Sequence, residues 1–169
     1  MNKQGFTLIE VVIAFSIMAI ISLVGIAAFI NYNRSQVLNT AASDIVGILN
    51  LAKARSSSQV KLAECVGSLD SYKVGFCKLS SADCLSAESD KDYAVYAVCG
   101  GNTISPAIVS RKLPENISLV AGGPTVFFFR VLTGGVDFSG GSPGNITISG
   151  FTGSQRIIKV FSNGRIVVN

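Results

Sequence analysis

The stretch Gly5-Phe6-Thr7-Leu8-Ile9-Glu10-Val11-Val12-Ile13-Ala14-Phe15 places one carboxylate near the start of a long apolar run. From Phe6 to Ile30 the chain reads FTLIEVVIAFSIMAIISLVGIAAFI, with Glu10 its only charge. About 20 apolar residues in a helix suffice to cross a bilayer core, so the segment is long enough to span one. A soluble helix shows a single apolar face, whereas this one is apolar all round. A carboxylate inside a membrane costs roughly 2.5–3.5 kcal/mol on insertion scales and usually has a partner, so Glu10 needs an explanation.

Outside this run the composition is that of a water-soluble domain. The 169 residues suffice for one domain and an appendage; 49% are apolar and only 14% charged, a bias concentrated in the N-terminal run. The net charge of +4 is modest, and from Lys61 onward ten basic residues face eight acids. Basic residues are scattered, with Arg111-Lys112 the sole adjacent pair there, unlike the dense patch of a nucleic-acid binder.

Three readings fit the N-terminus. A conventional secretory signal would use Lys3, the apolar core from Val11 to Val24 and a small-residue cut at Gly25-Ile26-Ala27, but the apolar run continues past that site. A plain signal anchor, oriented by Lys3 on the cytoplasmic side, explains the span and not the acid.

The third rests on residues 1–5 followed by Phe6-Thr7-Leu8-Ile9-Glu10, which resemble the processing site of type IV prepilins and type II secretion pseudopilins. The resemblance covers the leader and about 25 residues after it. It implies cleavage by a prepilin peptidase between Gly5 and Phe6, N-methylation of Phe6, and retention of the apolar helix. It also implies that Glu10 forms a salt bridge with the N-terminal amine of a neighbouring subunit as helices pack into a filament. The expected partners are other pilin or pseudopilin subunits, the peptidase/methylase, an inner-membrane assembly platform and the lipid bilayer. The expected location is the inner membrane, single-pass with the N-terminus inside and the C-terminal domain outside, and then the filament. Many major pilins carry a proline within this segment; here Gly25, beside Ala27 and Ala28, either permits bending and close packing or is an ordinary transmembrane glycine.

Asn31-Tyr32-Asn33-Arg34 marks the exit from the apolar layer. Leu38, Ala41, Ile45, Ile48, Leu49 and Ala52 then recur at three- and four-residue steps, with Asn39, Ser43, Asn50 and Lys53 mostly on the other side. The pattern predicts one helix from about Phe6 to Arg55, broken or frayed at Ser56-Ser57-Ser58. The remainder predicts short strands at Tyr72–Leu79, Tyr93–Cys99, Ala107–Lys112, Ile117–Val120, Thr125–Leu132, Asn145–Ser149, Arg156–Phe161 and Arg165–Val168. Asn163-Gly164 predicts a hairpin with both turn residues at positive φ; Gly134-Gly135 and residues 140–144 read as loops. The fold class is α+β: a long N-terminal helix packed on a C-terminal antiparallel β domain, ladle-shaped as in pilins. Its segments are a leader (1–5), a membrane and filament-core helix (6–30), an amphipathic helix (31–56) and an extracytoplasmic β domain (57–169).

Residues Lys91 to Cys99, Leu113-Pro114 leading into Val126-Phe127-Phe128-Phe129, and Ile157 to Val168 resemble H-type minor pseudopilins and FimT-like minor pilins. Some FimT-like proteins bind DNA through a basic glycine-arginine C-terminus. Here Gly164-Arg165 lacks a second arginine, which weakens a DNA-receptor reading and makes Arg165 an exposed strand residue; a membrane-anchored DNA-uptake or adhesion module binding ligand through the β domain is the alternative to a structural subunit.

Cys65, Cys77, Cys84 and Cys99 all follow the apolar segment, on the side placed outside the cytoplasm, where disulfides form. Four cysteines allow three connectivities. A hairpin of the strands at 72–79 and 93–99 would bring Cys99 near Cys65 and leave Cys84 to reach Cys77, favouring Cys65–Cys99 with Cys77–Cys84; free thiols are the alternative. No histidine exists for a catalytic triad or a neutral-pH base, and no C-x-x-C pair suggests a metal, so neither enzymatic activity nor a cofactor is expected. Asp83, Glu88, Asp90 and Asp92 read as a solvated acidic loop without EF-hand spacing. Asn116 and Asn145 begin glycosylation sequons.

Overall fold

The computed structural model describes residues 7–138 and 143–169; the side chains of Leu23, Val24 and Thr152 are left aside. Among the described residues one α-helix, α1, spans Leu8–Ser57, and ten antiparallel strands follow. The fold is therefore α+β. Contacts divide the chain into two compact units, Met1–Gln36 and Val37–Asn169, with the boundary inside the helix.

The second unit is built around the amphipathic part of α1. Leu38, Ala41, Ala42, Ile45, Ile48, Leu49 and Ala52 are buried in one core with residues from both sheets. Three alanines in this stripe keep the helix surface low, so the aromatic side chains of the sheet can approach it. The helix ends two residues beyond Arg55, in a defined stop. Gln59 takes a left-handed conformation (φ 51°). The N–H of Gln59 bonds to the Ser56 carbonyl and that of Val60 to the Arg55 carbonyl, satisfying the last orphan acceptors in a Schellman arrangement. The hydroxyls of Ser56 and Ser57 both return to the Lys53 carbonyl, the local competition with the helix ladder that serines offer.

The strands are β1 (Leu69–Gly75), β2 (Tyr93–Cys99), β3 (Asn102–Thr103), β4 (Val109–Arg111), β5 (Ser118–Val120), β6 (Val126–Arg130), β7 (Val136–Phe138), β8 (Gly144–Ser149), β9 (Gln155–Val160) and β10 (Ile166–Val168). One sheet has the order β3-β2-β1-β6-β7, with β4 also paired to β2; the other runs β10-β9-β8-β5. Alternation selects the core face: Phe127 and Phe129 of β6, Ile146 and Ile148 of β8, and Ile158 and Val160 of β9 are buried. Phe76 and Phe127 meet edge to face with centroids 6.1 Å apart.

Three departures from the expected strands have local causes. β1 begins at Leu69 and stops at Gly75, not at Leu79. A Cβ on Gly75 would meet the Asp83 carbonyl oxygen at 2.6 Å, and the N–H groups of Leu79 and Ser80 both turn back to the Phe76 carbonyl. The strands β3 and β7 were not expected. Each is two or three residues long, and their sequences, Asn-Thr and Val-Asp-Phe, carry too little periodicity to distinguish from loop. The Asn163-Gly164 turn joins β9 to β10, but only Gly164 has positive φ (78°). The Gly164 N–H donates to the Phe161 carbonyl, and the Asn163 side-chain oxygen accepts from the Arg165 N–H. This is a glycine-bulge turn, not a two-residue turn with both positions left-handed.

Candidate functional site

In the N-terminal unit, the described residues of α1 are exposed along their length. Leu8, Ile9, Phe15, Met18, Ile21 and Phe29 are all more than half exposed. The helix is long and apolar enough to cross a membrane by length and composition. The serine hydroxyls of its apolar run are satisfied locally: those of Ser16 and Ser22 donate to the carbonyls of Val12 (2.8 Å) and Met18 (2.7 Å), four residues back. Such bonds let a serine sit on an apolar helix without an unpaired donor.

Thr7 precedes the first helical residue, and its hydroxyl accepts the Glu10 N–H at 3.4 Å. Thr7-Leu8-Ile9-Glu10 thus has the T-x-x-E pattern of a capping box, with the threonine side of it made. That signal is readable in the sequence, where Glu10 is an N3 residue as well as a charge. The acid also complements the positive end of the helix dipole. Glu10 is exposed, and among the described residues it has no ion-pair partner. A shallow concavity of about 430 Å³ on this face of the helix is lined by Glu10, Val11, Ala14, Phe15 and Met18. A Cβ added to Gly25 would meet nothing within 4 Å, so no contact within the chain requires a glycine there.

Residues 1–26 match the family model for the prokaryotic N-terminal methylation motif. The chain thus carries a type IV pilin-like prepilin signal, joined to an exposed apolar helix and an antiparallel β domain. Comparisons with curated proteins and with solved structures found no match. Gly5 and Phe6, the expected cleavage and methylation positions, lie outside the described residues. A motif of this kind implies a processing peptidase and other pilin subunits as partners in general terms, and a structural role.

In the β domain, Cys65 is joined to Cys99 (Cα–Cα 5.7 Å) and Cys77 to Cys84 (5.3 Å). In the hairpin Cys99 faces Leu69, and Tyr72 faces Ala97. The first bridge ties the segment after the helix to β2, and the second closes the loop after β1 over Tyr96 and Ala94.

The acidic loop is not uniformly solvated. Glu88 is buried, accepting bonds from the Tyr96 hydroxyl (3.4 Å) and the Ala107 N–H (3.3 Å). Asp92 accepts the Leu113 N–H at 2.7 Å, and only Asp90 is an open surface acid, between Lys91 and Lys112. Lys91 holds the Asp90 carboxyl below the usual range. No group of three or more potential metal ligands occurs among the described residues.

The basic residues are largely occupied. Arg111 pairs with Asp44 of α1, Arg130 with Asp137, and Arg156 donates to Asn39 at 2.9 Å. Arg165, exposed just before β10, lies 4.4 Å over the Phe161 ring. Lys53 donates to the Gly164 carbonyl at 2.9 Å, fixing the last hairpin to the helix. The polar side of the amphipathic helix therefore makes its own set of tertiary contacts through Asn39, Asp44 and Lys53. A shallow cleft of about 300 Å³ lies on the outer face of the first sheet between Asp70, Ser71, Phe128, Arg130 and Asp137. Its acids are already bonded, Asp70 to Ser68 and to the Gly101 N–H.

Proposed function

We propose that the chain is a minor pilin or pseudopilin, a structural subunit of a type IV pilus or type II secretion filament. The observation that carries this reading is an exposed apolar helix that begins at Leu8, within the stretch (residues 1–26) that matches the prepilin methylation motif. Lone side chains of that kind are ordinary on a protein surface, but a continuous sleeve of them needs another solvent. Lipid supplies it first and neighbouring helices supply it after assembly. Cleavage after Gly5 exposes the Phe6 amine for methylation, and Glu10 then pairs with such an amine in the filament. A buried acid without its partner is costly, so the pair selects one axial register among many apolar ones. The β domain faces outward and supplies subunit contacts; the resemblance of residues 91–99, 126–129 and 157–168 supports the H-type branch.

Glu10→Gln tests the reading. The variant keeps the helix and the β domain, is processed to an N-methylated Phe6 detectable by mass spectrometry, and fails to enter filaments sheared from cells that assemble the wild-type chain. Normal incorporation of this variant refutes the role given to Glu10.

A further inference from the structure

The outer face of the first sheet carries a site that the filament role does not use. Its cleft of about 300 Å³ is lined by Asp70 and Ser71 of β1, Phe128 and Arg130 of β6, and Asp137 of β7. Asp70 and Ser71 are consecutive, and regular alternation would send them to opposite faces. Counting back from the fully buried Val74 and Tyr72, Asp70 would point into the core. A bulge prevents it. Leu69 faces Cys99 and Ser71 faces Val98, so Asp70 is an extra residue in β1. Bulges of this kind re-aim side chains and are frequent beside active sites.

The polar groups around the cleft are held in place without being used up. Asp70 accepts from the Ser68 hydroxyl (3.0 Å) and the Gly101 N–H (2.7 Å), one bond to each oxygen, so each keeps a lone pair. Among the described residues, Arg130 gives only its Nε to one oxygen of Asp137, which leaves both Nη groups and the second carboxylate oxygen for a ligand. Ser71 is 7% exposed, yet among the described residues its hydroxyl has no hydrogen-bond partner. Its partner must come through the cleft that it lines.

The geometry points to a carbohydrate site: one neutral hexopyranose ring lies on Phe128, with its hydroxyls on Ser71, Asp70, Asp137 and Arg130. Donors and acceptors stand side by side here, and a sugar hydroxyl both gives and accepts a hydrogen bond. A cationic side chain could use the carboxylates, but it has no acceptor for Ser71 and meets the charge of Arg130. Two carboxylates against one guanidinium leave the cleft negative, which repels phosphate, carboxylate and nucleic acid. Phe128 lies between Lys73 and Asp137 in one cross-strand row and is partly exposed. It is an apolar floor for the C–H face of the ring. The volume is at the lower limit of small-molecule sites, about 300–1,000 Å³, so a single ring fits. So small a ligand binds with a Kd of roughly 1–10 mM.

The test uses the full-length chain in a zwitterionic detergent, since glycoside detergents would compete. Saturation-transfer NMR is run with the methyl pyranosides of glucose, galactose and mannose, each up to about ten times the expected Kd. At least one is expected to receive saturation, strongest on the C–H protons of one ring face. Ser71→Ala is expected to raise its Kd about three- to tenfold, as loss of one hydrogen bond does. Phe128→Leu, which keeps an apolar floor without a ring, is expected to act by a similar factor. Arg165→Ala, beside β10 of the second sheet, is expected to bind as the wild type does. Should Phe128→Leu lose the fold, Ser71→Ala, which removes a single oxygen, decides the comparison. If no pyranoside receives saturation, or if Ser71→Ala leaves the Kd unchanged, the site is refuted. Binding of lysine or arginine methyl ester in place of the sugars overturns the ligand class and assigns the cleft to a basic peptide side chain. None of these outcomes touches the filament reading, which rests on the apolar helix.

Discussion

Removing one hydroxyl, by Tyr93→Phe, tests how the helix is held on the first sheet. Tyr93 is 1% exposed, and its hydroxyl donates to Asp44 of α1, which also receives Arg111. A hydrogen bond to a charged acceptor contributes about 1.5–3 kcal/mol. The Asp44 side chain is 33% exposed, so water can replace the lost donor in part, and about 1–2 kcal/mol is the expected cost at neutral pH. For a unit of this size that is a fall in Tm of roughly 4–8 °C. The pH dependence sharpens the test. Burial raises the Tyr93 pKa, and the hydrogen bond to Asp44 and its charge raise it further. A raised pKa means that the neutral phenol is the form stabilised by folding. Its contribution is complete below the unfolded value near 10 and is lost progressively as pH climbs above it. Burial acts in the same direction on Tyr72 and Tyr96. Lys73 has the opposite sign: burial lowers its pKa, so its contribution is present above the unfolded value and lost as pH falls. The wild type alone therefore mixes several titrations, and the difference between wild type and Tyr93→Phe isolates one. Urea unfolding with intact disulfides, from pH 7 to pH 11, should show that difference constant up to about 10 and shrinking beyond it. A difference that stays constant to pH 11, or is below about 0.5 kcal/mol throughout, refutes the reasoning.

Two other perturbations follow from backbone and crosslink geometry. Replacing Cys65 and Cys99 together by Ser releases a loop with sequence separation 34 and should cost about 3–4 kcal/mol, against about 2 for the Cys77/Cys84 pair, separation 7; guanidinium unfolding of the two double variants checks the order. Gly164→Ala forces a side chain into a positive-φ position where its Cβ meets the Gly134 carbonyl oxygen at 2.8 Å. The expected loss is about 1–3 kcal/mol, read as a lower Tm, with faster hydrogen exchange in the β9–β10 hairpin.

Much of this fold was legible because its signals are periodic. The stripe from Leu38 to Ala52 identifies the core face of the helix, and β6, β8 and β9 alternate cleanly enough to separate Phe127 and Phe129 from Phe128. What escaped was non-periodic. The burial of Glu88 depends on Tyr96 and on the Ala107 N–H, both reached only through the chain's return to the same place. The end of β1 at Gly75 depends on the close approach of the Asp83 carbonyl, an event in space with no local sign beyond the glycine itself. The role of Asp44 has no local sign, because its two partners, Tyr93 and Arg111, lie 49 and 67 positions away. At the N-terminus, the string from Gly5 to Glu10 suggested processing at once. The capping role of Thr7 is legible in the same string, from its T-x-x-E spacing.

Winding the helix also changes the energetic argument about Glu10. At 1.5 Å per residue, Glu10 and Tyr32 are about 33 Å apart along the axis, while a bilayer hydrocarbon core is about 30 Å thick. On the proposed reading, an upright helix with Tyr32 at the outer interface, where tyrosine prefers to sit, carries Glu10 up to the inner headgroup layer. The carboxylate is then hydrated in the membrane, and the cost of a charge at the bilayer centre does not apply. Extraction into a bundle of neighbouring helices removes that hydration, and only there does an unpaired Glu10 become expensive. The acid therefore penalises misassembly without penalising storage in the membrane. A charge placed one or two turns deeper, at Ala14 or Ser16, would penalise both.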